Sequence, residues 1–394
     1  MAEPRVRFDD LRADPPSSFA MAGFESELVA RRPEEVPAVI ATAERAARDG
    51  RFAAGFVSYE AAPGLDHTLH VLEPDPAVPL AWFGVFRERV DVDPPVDSTT
   101  AAPAEWTRSE SRERYDSSIA SIRRHIEAGD TYQVNYTLRL RAGAPGDVDA
   151  FYADLCLAQT ASYCVSIGTE DLAVLSASPE LFFEIDGDRI TTRPMKGTIA
   201  RGRTLDEDEA AASRLAASRK DRAENAMIVD LIRNDLGRIA VPGSVHPTEL
   251  FATERYDTVW QMTTRIDAEL RDGTDLLDVF RALFPSGSVT GAPKVRTMEL
   301  IAELESGPRG VYTGAIGFVE PSADGRPHAV FNVAIRTVVV NLDSGTAEYG
   351  IGGGITHDSS AEAEYEEALT KARVLTERRH NSVRGWRTAR LVDG

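Results

Sequence analysis

The sequence predicts an α+β fold built on large antiparallel sheets. Alternating apolar and polar runs mark strands, helical repeats lie among them, and no regular βαβ repeat orders the two. No internal repeat or low-complexity tract interrupts the pattern.

The elements follow in order. Val36 to Ala47 reads as a helix, Phe52 to Glu60 as a buried strand and Ala81 to Val90 as a second strand. Residues 91–105 (DVDPPVDSTTAAPAE) lack periodicity, so a linker over 92–105 is expected between an N-terminal α/β unit, 1–91, and a larger unit, 106–380, followed by a tail, 381–394. Tyr115, Ile119, Ile122 and Ile126 recur at helical spacing before Gly129, a helix-ending glycine. Tyr132 to Leu140 alternates as a half-buried strand. A hairpin over 179–196, one long helix over 205–236, a helix after Gly291-Ala292-Pro293, strands at 329–340 and 346–351, a glycine loop and a final helix complete the chain.

Hydrophobic residues make up 42% and charged residues 27%, a soluble globular balance. With 44 Lys+Arg against 63 Asp+Glu, the net charge is −19. Such a surface repels phosphate backbones and anionic headgroups, which argues against nucleic-acid and membrane-surface roles. An anionic substrate remains compatible where a local cation dominates a pocket. The charged first residues give no signal peptide, and no stretch reaches the roughly 18 apolar residues of a membrane span. Cys156 and Cys164 form no CxxC and lie in apolar sequence, as reduced core thiols of a cytoplasmic protein would.

Several segments carry chemistry. In the hairpin, Asp186-Gly187 reads as the turn, which sets Glu180 opposite Arg193, or beside Met195 or Lys196 after a small register shift. An acid and a lysine so placed form either a surface ion pair or a working pair, and the rigid settings Ser-Pro-Glu and Pro-Met-Lys-Gly-Thr favour the second. Glu224 shares a helix face with Met227, Ile228 and Leu231, so it needs a core cation or a hard metal ion. Ser359 and Glu362 fit a capping box, and Glu364, Glu367 and Lys371 share one face of the last helix, a solvated salt-bridged face or a second source of carboxylates for Mg²⁺. Gly350-Ile-Gly-Gly-Gly-Ile355 departs from the dinucleotide spacing and can instead offer backbone N–H groups to a carboxylate. Arg336 suits either a carboxylate ligand or a structural ion pair. HExxH, GxSxG and P-loop motifs are absent, and the seven histidines are scattered.

These segments together resemble the chorismate-binding enzyme family, which contains anthranilate, aminodeoxychorismate, isochorismate and salicylate synthases. The matching runs are GDTYQVN (129–135), SPE (178–180), PMKGT (194–198), ENAMIVDLIRNDLGR (224–238), FPSGSVTGAPK (284–294), VYTGAIG (311–317), AIRT (334–337), GGGI and EYEEALTK (364–371). They cover roughly the later two-thirds of the chain in one order; the N-terminal third matches more loosely through Ser58-Tyr59-Glu60. The resemblance implies antiparallel sheets packed as a sandwich with helices outside, and a chorismate-binding catalytic unit over 106–380.

Water-using members carry a lysine base where this chain has Gln133, and anthranilate synthases typically have a small residue where it has Lys196. The pair Gln133 and Lys196 is similar to the aminodeoxychorismate branch. The resemblance then implies Lys196 as nucleophile and Glu180 as general acid. It implies Mg²⁺ on Glu224 and Glu367, with Glu364 beside them. Substrate contacts implied are Gln133, Gln261, Ser288, Thr290, Tyr312, Arg336, Gly352, Gly353, Gly354 and Lys371. Gln261 stands where many members have histidine, which puts acid/base work there in doubt. A separate glutamine amidotransferase subunit is expected to supply ammonia, since neither cysteine has a glutaminase context. The alternatives are another chorismate aminator, forming anthranilate or aminodeoxyisochorismate, and a non-catalytic subunit of the same fold.

Overall fold

The structure, a computed structural model, describes residues 3–96, 105–256, 259–323, 325–376 and 390–392. Most of the expected linker and nearly all of the expected tail lie outside the described residues.

One antiparallel ladder runs through the molecule. From one edge its strands are Arg390–Val392, which pairs parallel with the next, then in antiparallel order Glu105–Arg108, Gln133–Gly143, Thr346–Ile355, Thr337–Asn341, Leu172–Ser178, Tyr163–Gly168, Arg5–Asp10 and Ser17–Ala30. It continues through Ala81–Asp91, Phe52–Val57, Ala315–Glu320, His328–Val333, Leu181–Asp186, Arg189–Arg193, Val259–Glu269 and His246–Arg255. Residues 1–91 therefore share the sheet of the later chain: Arg5–Asp10 pairs with Tyr163–Gly168, and Phe52–Val57 with Ala315–Glu320.

The ladder folds over itself because its strands are apolar on both faces. Ala54, Phe56, Trp82, Val165, Val174 and Phe318 pack between the two layers. The alternate positions point outward, as a period of two requires. Ala53, Val57, Phe183 and Phe331 meet the helices Val36–Arg48, Arg219–Gly237 and Leu276–Leu283. Leu138, Leu175, Val338 and Ile351 meet Arg112–Glu127, Val148–Gln159 and Ala361–Lys371. This is a sandwich with helices outside.

Several local expectations change. The expected single helix over 205–236 is two, Leu205–Ala217 and Arg219–Gly237, because the Ser218 hydroxyl accepts from the Asp221 N–H and starts a second helix. The strand expected at 52–60 ends at Val57, and Tyr59–Ala61 form a 3-10 turn. The strand over 133–140 is buried on both faces, since its polar side lies against other polar groups rather than solvent. The hairpin turn is Gly187-Asp188, with Asp186 already paired to Arg189. The strand at 329–340 is broken at Arg336, whose φ is +54°. The glycine segment is no loop but the end of the strand Thr346–Ile355. Ser360, not Ser359, caps the final helix, accepting from the Ala363 N–H.

Beside Phe318, on the face that looks between the layers, His328 lies 2.9 Å from Glu320 and 3.4 Å from Glu184. The hydrogen bonds to Glu184 and Glu320 outweigh burial and raise its pKa from 6.5 to about 9. A pKa raised on folding gives stability that is full below the unfolded value and is lost as pH rises through the folded one. His328→Gln is therefore expected to lower the melting temperature most near pH 6 and least near pH 10, roughly. A difference that is constant with pH would contradict the assignment.

Candidate active site

A cleft of about 1020 Å³, open to solvent, lies where the glycine strand meets the hairpin and the last helix. Glu180, Lys196, Glu224, Gln261, Ser288, Tyr312, Arg336, Gly352, Gly353, Gly354, Glu364, Glu367 and Lys371 all line it. Gln133 and Thr290 do not. Gln133 is fully buried beneath Gly354, and Thr290 is buried with its hydroxyl donating to the Ser286 carbonyl.

Lys196 sits on Met195–Ala200, which pairs with Val259–Glu269. The register slips between Met195 and Thr198, and Gly197 takes φ +84°, so a bulge turns the lysine into the cleft. Glu180 precedes the strand Leu181–Asp186, where its carbonyl accepts from the Val333 N–H. The hairpin brings the two near each other, but Ser288 joins them. Its carbonyl accepts from Lys196 Nζ at 2.8 Å, and its Oγ donates to Glu180 Oε1 at 2.6 Å.

Burial raises the Glu180 pKa to about 7, although the Ser288 hydroxyl and the Lys196 charge pull it down. Burial lowers the Lys196 pKa; Glu224 and Glu180 oppose that, and Lys371 adds to it. One serine therefore joins an acid whose pKa burial raises to a lysine whose pKa burial lowers.

Carboxylates and lysines alternate across the rest of the cleft. The helix Arg219–Gly237 brings Glu224, with Lys220 3.8 Å from both Glu224 and Glu364. Ser359 donates to Glu364 Oε1 at 2.6 Å, the role it takes in place of capping. Lys371 lies 2.8 Å from Glu367 and donates to the Gly352 carbonyl at 2.7 Å. Burial raises the Glu224 and Glu364 pKa values, each pushed further by a neighbouring carboxylate, whereas Lys371 lowers that of Glu367.

The glycines have distinct jobs. The N–H groups of Asn135 and Thr137 go to Thr290 and Glu305, so the opposite residues, Gly354 and Gly352, are non-hydrogen-bonded pairs. Their own N–H and C=O groups point away from that ladder, as the Lys371 contact on the Gly352 carbonyl illustrates. Gly353, opposite Tyr136, has its amide in the ladder, so it is not free to bind a carboxylate as expected. A Cβ on Gly352 would lie 2.2 Å from the Tyr136 carbonyl oxygen. Arg336 lines the cleft and its guanidinium donates to the Lys371 carbonyl.

Sequence reasoning missed Asn135, Thr198, Lys220 and Asp221 in the lining. Lys220 had a readable signal, being one helical turn before Glu224. It also missed the buried network behind the cleft. Glu305 accepts from the Thr137 N–H and hydroxyl, from Arg139 and twice from Arg309. Burial opposes its charge, but Arg309 and Arg139 overcome this and hold the carboxyl below its usual range.

The family to which this sandwich and its lysine–acid cleft belong is identifiable. The chain belongs to the chorismate binding enzyme family, whose sequence model matches residues 9–377. It is 40% identical over 291 residues to aminodeoxychorismate synthase component 1 of Escherichia coli, covering 74% of this chain and 62% of that protein. It is 41% identical over 286 residues to anthranilate synthase component 1 1 of Haloarcula marismortui, covering 72% and 56%. The chain thus aligns with little more than half the length of such relatives. The crystal structure of anthranilate synthase component I from Streptococcus pneumoniae superposes with a TM-score of 0.78 at 24% identity, over 91% of this chain and 92% of that one, which shows the shared fold. No helix among the described residues is long and apolar enough to cross a membrane.

Glu305→Ala would leave Arg309 and Arg139 buried without their carboxylate, at a cost of about 3–5 kcal/mol. Urea unfolding measures this directly, and a loss below about 1 kcal/mol would show that the network does not hold the cleft together.

Proposed function

We propose that the protein aminates chorismate at C4, forming 4-amino-4-deoxychorismate through a covalent adduct on Lys196. The observation that carries this is the Ser288 bridge, with the Lys196 nitrogen on its carbonyl and the Glu180 carboxyl on its hydroxyl. Lys196, as the free amine, attacks C2 of the ring. Glu180 gives its proton to the departing C4 hydroxyl, which leaves as water. Ammonia then adds at C4 and expels the lysine. Arg336, Tyr312 and the outward amides of Gly352 and Gly354 would hold the substrate carboxylates.

The acidic wall suits magnesium, which takes one or two carboxylates and keeps several waters. Burial and mutual repulsion crowd charge at Glu224 and Glu364, a cost that a divalent cation relieves. Among the described residues no three His, Cys, Asp or Glu side chains converge as a ready cage, and magnesium does not need one. Glu224 and Glu367, with Glu364, would hold it, and when bound it would neutralise a substrate carboxylate.

Relatives named component 1 favour a second subunit, and we take it to be a glutamine amidotransferase that delivers ammonia. A separate lyase would complete a route to p-aminobenzoate in the cytoplasm. Anthranilate formation is the second reading, favoured by the Haloarcula relatives. Lys196 in the cleft weighs against it.

The test is incubation with chorismate, magnesium and either ammonium or glutamine, followed by product mass and fluorescence. Ammonium is expected to give a non-fluorescent C4 amine and glutamine alone none, with Lys196→Ala losing at least about a hundredfold in rate. Full activity in that variant would rule out the covalent route, and a fluorescent product would establish the anthranilate reading.

A second expectation concerns pH. Glu180 works only when protonated and its pKa is about 7, so kcat/KM should fall as pH rises above about 7. Glu180→Gln should lower the rate and remove that limb. An alkaline limb unchanged in this variant would assign it to another group.

A further inference from the structure

Glu180 lines two neighbouring cavities. One is the substrate cleft; the other lies behind it, with Thr192, Asp235, Ser286, Phe182 and Ile232 in its wall. Its wall is largely apolar, but two observations single out the hydroxyls in it. Thr192 is 2% exposed, yet its Oγ1 has no hydrogen-bond partner in the protein, a cost that a buried water relieves. Ser286 Oγ lies 2.9 Å from Ser288 Oγ, which lies 2.6 Å from Glu180 Oε1. A chain of hydroxyls thus leads from this rear cavity to the acid in the cleft.

The chemistry proposed above requires such a connection. When Lys196 gives its electron pair to C2, the C4–O bond breaks and the hydroxyl leaves as water with the Glu180 proton. A carboxylate remains. Ammonia then forms the C4–N bond, and the C2–N bond breaks with its electron pair returning to Lys196. The product departs as an ammonium ion, so each turnover consumes one solvent proton and Glu180 must recover it.

We infer that the rear cavity holds a water bonded to Thr192 and Ser286, which returns the proton to Glu180 through Ser288 from the side opposite the substrate. Two sequence runs without a role in the chemistry frame this site. Asp235, from the RNDLG run, lines the cavity and pairs with Lys294, from the GAPK run, at 2.9 Å. Thr192 is a positioning residue, since it acts through the water.

The inference rests on the proposed function, and rapid-quench kinetics keep the two apart. With chorismate, magnesium and ammonium below pH 7, where Glu180, of pKa about 7, starts mostly protonated, Thr192→Val should complete its first turnover at the wild-type rate. Later turnovers should slow about tenfold. Ser286→Ala should raise the same ratio of first-turnover to steady-state rate, and Thr192→Ser should restore it. An unchanged steady-state rate in Thr192→Val would overturn the inference, as would equal losses in both phases, which mark a structural role. If the wild type makes anthranilate instead, the amination proposal fails, but the ratio still reads on Thr192, because that product also requires loss of the C4 hydroxyl.

Discussion

The Glu305 carboxylate, buried between Arg309 and Arg139, is the constraint on which the cleft depends. Arg309 also donates to the carbonyls of Val289 and Asn135, and its backbone N–H with that of Gly310 donates to Glu60. One ion cluster therefore fixes the strand carrying Asn135, the turn carrying Ser288, the segment leading to Tyr312 and the N-terminal Tyr59–Ala61 turn. Remote ends of the chain meet there because charges taken out of water must find one another. Burial raises the Glu60 pKa to about 7 even with two backbone donors, so this cluster is costly ground held by hydrogen bonds on every side.

In front of that frame, three lysines are interleaved with acids in the cleft. Lys196 feels opposing pulls from Glu224, Glu180 and Lys371, and its free-amine fraction depends on all three. A change at a wall carboxylate consequently reaches the nucleophile without touching it. Glu180 is insulated by comparison, since Ser288 and Lys196 account for its nearest stabilisation.

Much of the cleft was legible because chemistry-bearing residues stand in short runs, and helix spacing alone put Glu364, Glu367 and Lys371 on one face. What was hidden depends on contacts distant in sequence. The hairpin register does set the Met195 backbone against Glu180, but Ser288, 108 positions beyond Glu180, also bridges it to Lys196, and nothing in the hairpin reports that. Arg336 gives no local sign of its left-handed backbone, which tertiary packing imposes. The glycine run read as a loop because glycine weakens strands. Here it is a strand paired with Gln133–Gly143, and it is glycine because a Cβ at Gly350 or Gly352 would strike the Tyr312 ring or the Tyr136 carbonyl. Gln133 and Thr290, expected to touch the substrate, are buried outside the cleft lining, a depth that strand alternation cannot report.

The pairing of Phe52–Val57 with Ala315–Glu320 has a consequence for how the chain reaches this state. Contacts that span more than 250 residues must close before the sandwich has a complete interior, so the topology has high contact order and slow assembly. Until Ala315–Glu320 is in place, Phe52–Val57 presents an unpaired, apolar edge. Synthesis runs from the N-terminal side, so that edge is exposed throughout translation of the later chain, and chaperone demand should concentrate there.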